Sequence, residues 1–186
     1  MTQLQIFADT SPAAALKTST DAHEIGALMA EVGVRFEQWP TRDDVKAGDS
    51  QEAVLAAYRP QVEALVAEQG YQTVDVISLR SDNPAKNELR QKFLSEHHHT
   101  EDEVRFFVNG QGLFALHIGD KVYEICCEQG DLLSVPANTL HWFDLGPNPE
   151  LVAIRFFNNP DGWVAHYSGS DIADGLRSDQ SSAVTV

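Results

Sequence analysis

The chain has 186 residues and a formal net charge of −15, with 42% hydrophobic and 22% charged residues. That size fits one domain able to bury a core, and the apolar content excludes a chain disordered throughout. So acidic a surface is ill suited to unaided binding of nucleic acid or anionic lipid, and no apolar run approaches the ~20 residues of a membrane helix.

From the N-terminus, Met1 to Ala15 carries no basic segment followed by an apolar one, so no secretory leader is expected. Leu4 and Ile6 suggest a short strand. Ile25, Leu28, Met29 and Val32 recur at helical spacing behind Thr20 or Asp21 as N-cap. Val34 and Phe36 suggest a strand before Trp39-Pro40. Residues 50–69 form the clearest helical stripe, with Ser50 to open it and Gly70 to close it. Pro60 falls inside the stripe, which predicts a kink or two helices. Residues 72–80 alternate as a strand, and Asn83 to Leu94 reads as a turn followed by a short helix.

The character changes near Val104. Short β-type segments follow at 103–108, 112–118, 121–126, 131–135, 139–144 and 151–157, with turn residues between them and no helical pattern. This spacing predicts a mainly β sandwich or barrel with the helices outside. Asn109-Gly110 is a hairpin signal. The expected organisation is a single domain over 1–186. It has an N-terminal α+β decoration over about 1–95, a core over about 96–167 and a polar, frayed tail over about 168–186. The two cysteines, Cys126 and Cys127, are adjacent. Neighbouring Cα atoms lie only ~3.8 Å apart, too close for an ordinary disulfide. A reduced, cytoplasmic protein is expected.

The chemistry concentrates in one stretch, Glu96, His97, His98, His99, Thr100, Glu101, Asp102, Glu103, Val104 and Arg105. In an extended chain His97, His99, Glu103 and Arg105 share one face, while His98 and Asp102 point to the other. Two imidazoles and a carboxylate can then meet one cation, with His141 on a later strand as the best fourth ligand. The spacing alone leaves both a metal site and a His-rich surface run open. Three imidazoles and one carboxylate suit Fe, Ni, Mn or Zn rather than Cu(I), and four protein ligands leave two positions of an octahedron free. Arg105 on that face suits an anionic substrate better than a purely structural ion pair. Arg155 is a weaker candidate for the same task. Phe106, Phe107, Phe114, Trp142, Phe143, Phe156 and Trp163 read as core, with His117 and His166 as structural histidines.

His97, His99, Glu103 and Gly110 are spaced as in a sequence that resembles the first metal-binding motif of the cupin superfamily. Gly130, Pro136, Asn138 and His141 resemble the second. Gln91 and Asn138 stand where glycines are usual, and Leu145 where an asparagine is usual. None of these departures removes a ligand. The fuller pattern over 94–163 resembles the acireductone dioxygenase family. It includes residues 96–118, the run from Leu133 to Asp144 and the run from Ile154 to Trp163.

That resemblance implies a cupin jelly roll and one Fe(II) or Ni(II) per chain, bound by His97, His99, Glu103 and His141. It implies that Arg105 helps hold the substrate dianion, that Glu96 influences metal loading, and that Asp102 transmits changes around the site. The parity of Glu96 and Asp102 restricts both to indirect roles, and simple solvated acids remain an alternative for them. The implied reaction is cleavage of acireductone by O2 in methionine salvage. Independently of the resemblance, a monomer is the default expectation for a highly charged domain, and the acidic charge and lack of a long apolar run predict no nucleic-acid or membrane partner. Another cupin dioxygenase, or a non-enzymatic metal-binding cupin, would use the same ligands.

Overall fold

The computed structural model describes residues 1–10, 14–159 and 164–176. The N-terminal half supplies β1 (Gln3–Ala8), β2 (Lys17–Ser19), α1 (Ala22–Glu31), β3 (Arg35–Gln38), α2 (Gln51–Ala57), α3 (Arg59–Gln69), β4 (Thr73–Leu79) and α4 (Lys86–Leu94). The strands β5 (His97–His98), β6 (Glu103–Ile118), β7 (Lys121–Glu128), β8 (Asp131–Val135), β9 (Leu140–Asp144), β10 (Leu151–Phe157) and β11 (His166–Tyr167) follow.

Local chemistry explains the helix ends. The Asp21 carboxylate accepts the Glu24 N–H at 2.8 Å and opens α1, and the Ser50 hydroxyl accepts the Ala53 N–H at 3.2 Å and opens α2. Each satisfies a donor that has no partner within its helix. The stripe over 50–69 breaks into two helices at Tyr58, so Pro60 falls in the first turn of α3. There its missing N–H costs nothing. Gly70 ends α3 at φ 77°, a conformation that glycine adopts without strain.

All strand pairs are antiparallel. One sheet runs β11-β5-β9-β6-β7-β1-β2, and the other runs β4-β10-β6-β8-β3. The long strand β6 belongs to both. Its first half pairs with β8 and β10, and its second half with β7 and β9. The hairpin expected at Asn109-Gly110 therefore does not form. Gly110 is instead the bend at which β6 passes from one sheet to the other. It has φ 75°, and a Cβ there would lie 1.7 Å from the Glu150 carbonyl oxygen. The tight turn in this region falls at Gly119-Asp120, between Ile118 and its partner Lys121.

The two sheets enclose an inner core that includes Leu4, Ile6, Phe107, Phe114, Leu116, Ile125, Phe143 and Ala153. The outer face of the second sheet, with Phe106, Ile154 and Phe156, is covered by Val54 of α2, Leu65 of α3 and Tyr58 at the junction between them. Burying side chains such as Val54 and Leu65 is worth about 1.5–3 kcal/mol each. This packing holds those short helices in place, since so few residues are marginal as isolated helices. The outer face of the first sheet carries Phe7, Ala115, Val122 and Trp142. It is capped by Ala173 and Leu176 from a helical turn at 172–176. The expected tail is thus packed over this part; residues 177–186 lie outside the described residues.

The result is the expected β-sandwich with flanking helices. Strands from residues 1–95 complete both sheets, since β1 pairs with β7, β3 with β8 and β4 with β10.

Candidate metal centre

Short chain segments bring four side chains to one end of the inner space. His97 lies on β5, His99 just beyond it, Glu103 opens β6, and His141 lies on β9. The register sets His97 opposite His141, and His141 opposite Leu116 of the inner core. The donor atoms of His97, His99 and His141 all lie within 4.8 Å of one another. Glu103 Oε2 is 2.8 Å from His141 Nε2 and 3.3 Å from His99 Nε2. All four residues are buried.

The backbone orients each ring. Nδ1 of His97 lies 2.7 Å from the Ser95 carbonyl, Nδ1 of His99 lies 2.9 Å from the Val164 carbonyl, and Nδ1 of His141 lies 2.8 Å from the Thr139 carbonyl. A carbonyl oxygen only accepts, so each Nδ1 donates and each Nε2 turns a lone pair toward the centre. His141 Nε2 and Glu103 Oε2 are buried and neither has hydrogen-bond geometry to a partner among the described residues. Buried polar atoms left in this way are costly. A cation at the convergence point would satisfy them, so the donor set fits a metal.

Electrostatics agrees. Burial, and next the neighbouring His141, lowers the His97 pKa to about 4, so this ring is neutral at pH 7. Burial works against the charge of Glu103, but Arg105 and then His141 outweigh it and hold its carboxyl well below the usual range. The neutral His97 ring and the ionised Glu103 carboxylate are in the protonation states that metal ligation requires.

Arg105 lies 2.6 Å from Glu103 Oε1 and is itself buried. Its guanidinium carbon is 4.5 Å from the Phe143 ring centre, 5.2 Å from Phe114 and 5.9 Å from Phe93. Aromatic faces stabilise a cation held out of water. The neighbouring position on β10 is Arg155, directly across from Arg105 in the register. Its Nε and a terminal nitrogen donate to the Asp75 carboxylate at 2.8 and 2.6 Å.

The other residues singled out from the sequence are placed as follows. Glu96 points away from His97, to the outer face of the first sheet, where Oε1 meets His117 Nδ1 at 2.7 Å. It is only 2% exposed, so it is no solvated acid. Asp102 is half-buried, and its Oδ1 accepts the Ala137 N–H at 2.9 Å. The Asn138 N–H donates to the His99 carbonyl at 2.7 Å. These two bonds tie the segment before His141 to the one before Glu103. Asn138 takes φ 64°, a left-handed conformation that asparagine tolerates better than most residues. It thereby replaces the usual glycine. His98 stacks on His166, with ring centres 5.3 Å apart, and takes no part in the cluster. Trp163 lies outside the described residues.

Strand parity predicted the shared face of Glu103 and Arg105, but β5 ends at His98 and β6 begins at Glu103. The approach of Glu103 to His99 therefore comes from the turn between them. Nothing in residue type or spacing marks Phe93 beside Arg105, nor the carbonyls of Ser95, Thr139 and Val164. A carbonyl leaves no mark in side-chain identity. His117, expected as a structural histidine, bonds Glu96 across 21 positions of the chain.

Comparison with known proteins gives a consistent result. A profile of the ARD/ARD′ family matches residues 3–165. The chain is 58% identical over 174 residues to an acireductone dioxygenase of Stutzerimonas stutzeri (strain A1501), covering 94% of this chain and 96% of the relative. It is 54% identical over 171 residues to an acireductone dioxygenase of Alcanivorax borkumensis, covering 92% and 94%. A solved acireductone dioxygenase from Bacillus anthracis, with a cadmium ion in its active center, superposes with a TM-score of 0.76. It shows 34% identity over 90% of this chain and 98% of that one.

Proposed function

The chain belongs to the ARD/ARD′ family, and on that premise we propose that it cleaves acireductone (1,2-dihydroxy-3-keto-5-methylthiopentene) with O2 at a metal held by His97, His99, Glu103 and His141. The observation that carries this reading is the convergence of three Nδ1-anchored imidazoles and an ionised carboxylate next to a buried arginine. The resident ion in this proposal is Fe(II) or Ni(II), one per chain.

When bound, the metal supplies a Lewis acid and a template for the enediol oxygens. The chain's own groups do the rest. His97, His99 and His141 contribute neutral donors and Glu103 one negative charge, so the loaded site keeps a net positive charge for an anionic substrate. Arg105 adds a second fixed cation whose orientation is set by Glu103 and the surrounding aromatic rings. Both charges favour the doubly deprotonated substrate, which is electron-rich enough to react with O2. Phe93, Phe114 and Phe143 keep water from Arg105, which strengthens its field. Asp102 acts indirectly, by holding the segment that presents His141, and Glu96 acts from behind β5.

The expected products of the Fe(II) protein are 2-oxo-4-methylthiobutanoate and formate. Those of the Ni(II) protein are 3-methylthiopropanoate, formate and carbon monoxide. Each set accounts for every atom of one acireductone and one O2. The proposal places the enzyme in methionine salvage, as one domain and a cytoplasmic monomer. The thiols of Cys126 and Cys127 are both free, and no described helix is long and apolar enough to cross a membrane.

The test is product analysis on metal-stripped protein reloaded separately with Fe(II) and Ni(II), then given acireductone and O2. Carbon monoxide from the nickel form alone is the expected result. No turnover by folded, loaded protein with either ion would reject the reaction.

A further inference from the structure

Residues 164–168 run along the open side of β5 and touch the metal cluster at several points. β11 pairs with β5, placing His166 opposite His98 and Tyr167 opposite His97. The Tyr167 ring centre is 5.8 Å from that of His97. The Val164 carbonyl is the acceptor that fixes the His99 tautomer, at 2.9 Å. A ring that contributes a donor to the cluster is thus oriented by a segment 65 residues further along the chain.

That segment is fastened at Glu96. The Ser168 hydroxyl donates to Glu96 Oε2 at 2.5 Å, and the Ser168 N–H donates to the Glu96 carbonyl at 3.1 Å. The other carboxylate oxygen, Oε1, is held by His117 Nδ1 at 2.7 Å. His117 lies on β6, and its Nε2 faces Asp9 Oδ2 at 3.6 Å. Glu96 is therefore engaged on both oxygens, in a buried position on the face of the sheet away from the substrate. The mechanical output of this arrangement is the position of the strap and of the backbone leading into His97.

We propose that Ser168 and His117 are positioning residues of the metal centre: through Glu96 they clasp the strap over β5 and so keep the Val164 carbonyl on His99. This rests on the reading of His97, His99, Glu103 and His141 as ligands. Removing a group that orients a ligating histidine typically weakens metal affinity 10–100-fold. The clasp acts at one remove, so the lower end, about tenfold, is expected. Packing of Ala173 and Leu176 also anchors the chain beyond the strap, and this is the competing account of what holds it.

The experiment compares the full-length protein with Ser168→Ala, Ser168→Thr and His117→Gln. Ser81→Ala serves as control, because Ser81 makes a comparable hydroxyl–carboxylate bond to Glu150 outside the centre. Ni(II) is the probe, its dissociation constant read by competition with a chromophoric chelator. Solvent exchange of the His99 Nδ1 proton is read by NMR in the metal-free protein. Ser168→Ala is expected to weaken Ni(II) binding about tenfold and to speed exchange of that proton. Ser168→Thr restores both, and Ser81→Ala changes neither. His117→Gln keeps a donor and falls between. Wild-type affinity and unchanged proton exchange in Ser168→Ala would overturn the clasp and leave the strap to the packing of Ala173 and Leu176. Failure of the parent protein to bind Ni(II) would instead overturn the ligand assignment on which the clasp depends.

Discussion

Replacing Arg105 with methionine removes a buried charge while keeping most of the side chain's length. In the metal-free protein Arg105 is the largest favourable influence on the ionised Glu103, with a nitrogen 2.6 Å from Oε1. Removing one partner of a buried pair costs about 3–5 kcal/mol, because the remaining charge is left uncompensated. At roughly 2–4 °C per kcal/mol for a chain of this size, the metal-free variant should melt about 6–20 °C lower. In the loaded protein the metal compensates Glu103, so the loss should shrink to a fraction of that value. Turnover behaves differently. If Arg105 holds the substrate dianion, its removal costs about 10²–10³ in kcat, as for other fixed charges aimed at a reacting anion, while metal occupancy stays near that of the parent. The assay pairs thermal unfolding of stripped and loaded protein with metal analysis and steady-state rates. Two results would refute the reasoning. One is equal destabilisation with and without metal; the other is a fall in turnover that merely tracks a fall in occupancy.

Three further outcomes follow from the geometry. His98→Ala should keep its metal content, since His98 faces His166 and not the cluster; metal analysis that finds it depleted would contradict the assignment. A Cβ at Gly112 would lie 2.3 Å from Phe143, whose ring sits 4.5 Å from the Arg105 guanidinium. Gly112→Ala should therefore lower kcat with metal binding retained, and an unchanged kcat would show that Phe143 does not hold Arg105. Burial raises the Asp131 pKa above its ordinary value, against hydrogen bonds from Thr2, the Glu128 N–H and Gln38. The folded state then binds this proton more tightly than the unfolded state. Its stabilising contribution is complete below the unfolded value of ~3.9 and is lost as pH rises through the higher folded value. The stability of Asp131→Asn relative to the parent should thus rise with pH across that window, as read by urea unfolding at several pH values; a flat or falling difference would reverse the sign.

Much of the site was legible in the sequence because its parts are local. Residues 96–105 carry three of the four side chains that converge at the candidate centre and the arginine beside it, and the alternation of a strand places Glu103 and Arg105 on one face. The glycine and proline around His141 mark the turns that deliver the fourth. Ser50, Pro60 and Gly70 mark their helix ends in the same way, and the pair Thr20 and Asp21 marks that of α1, since capping and proline geometry act over three or four residues. Asn109-Gly110 shows the limit of such reading. A local turn preference there gives way to a sixteen-residue strand, because pairing with four partner strands outweighs a two-residue propensity.

What tertiary structure alone decided is which distant groups meet. Val164 orients His99, Ser168 and His117 hold the two oxygens of Glu96, and Phe93 covers Arg105. None of these pairings follows from residue type, since a carbonyl is the same in every residue and a serine or phenylalanine suits countless settings. Identity and short-range spacing, written in the chain, select the imidazoles and the carboxylate that converge at the candidate centre. The order and register of the strands, set by burying both faces of two sheets at once, decide which backbone carbonyls and side chains meet those imidazoles and that carboxylate.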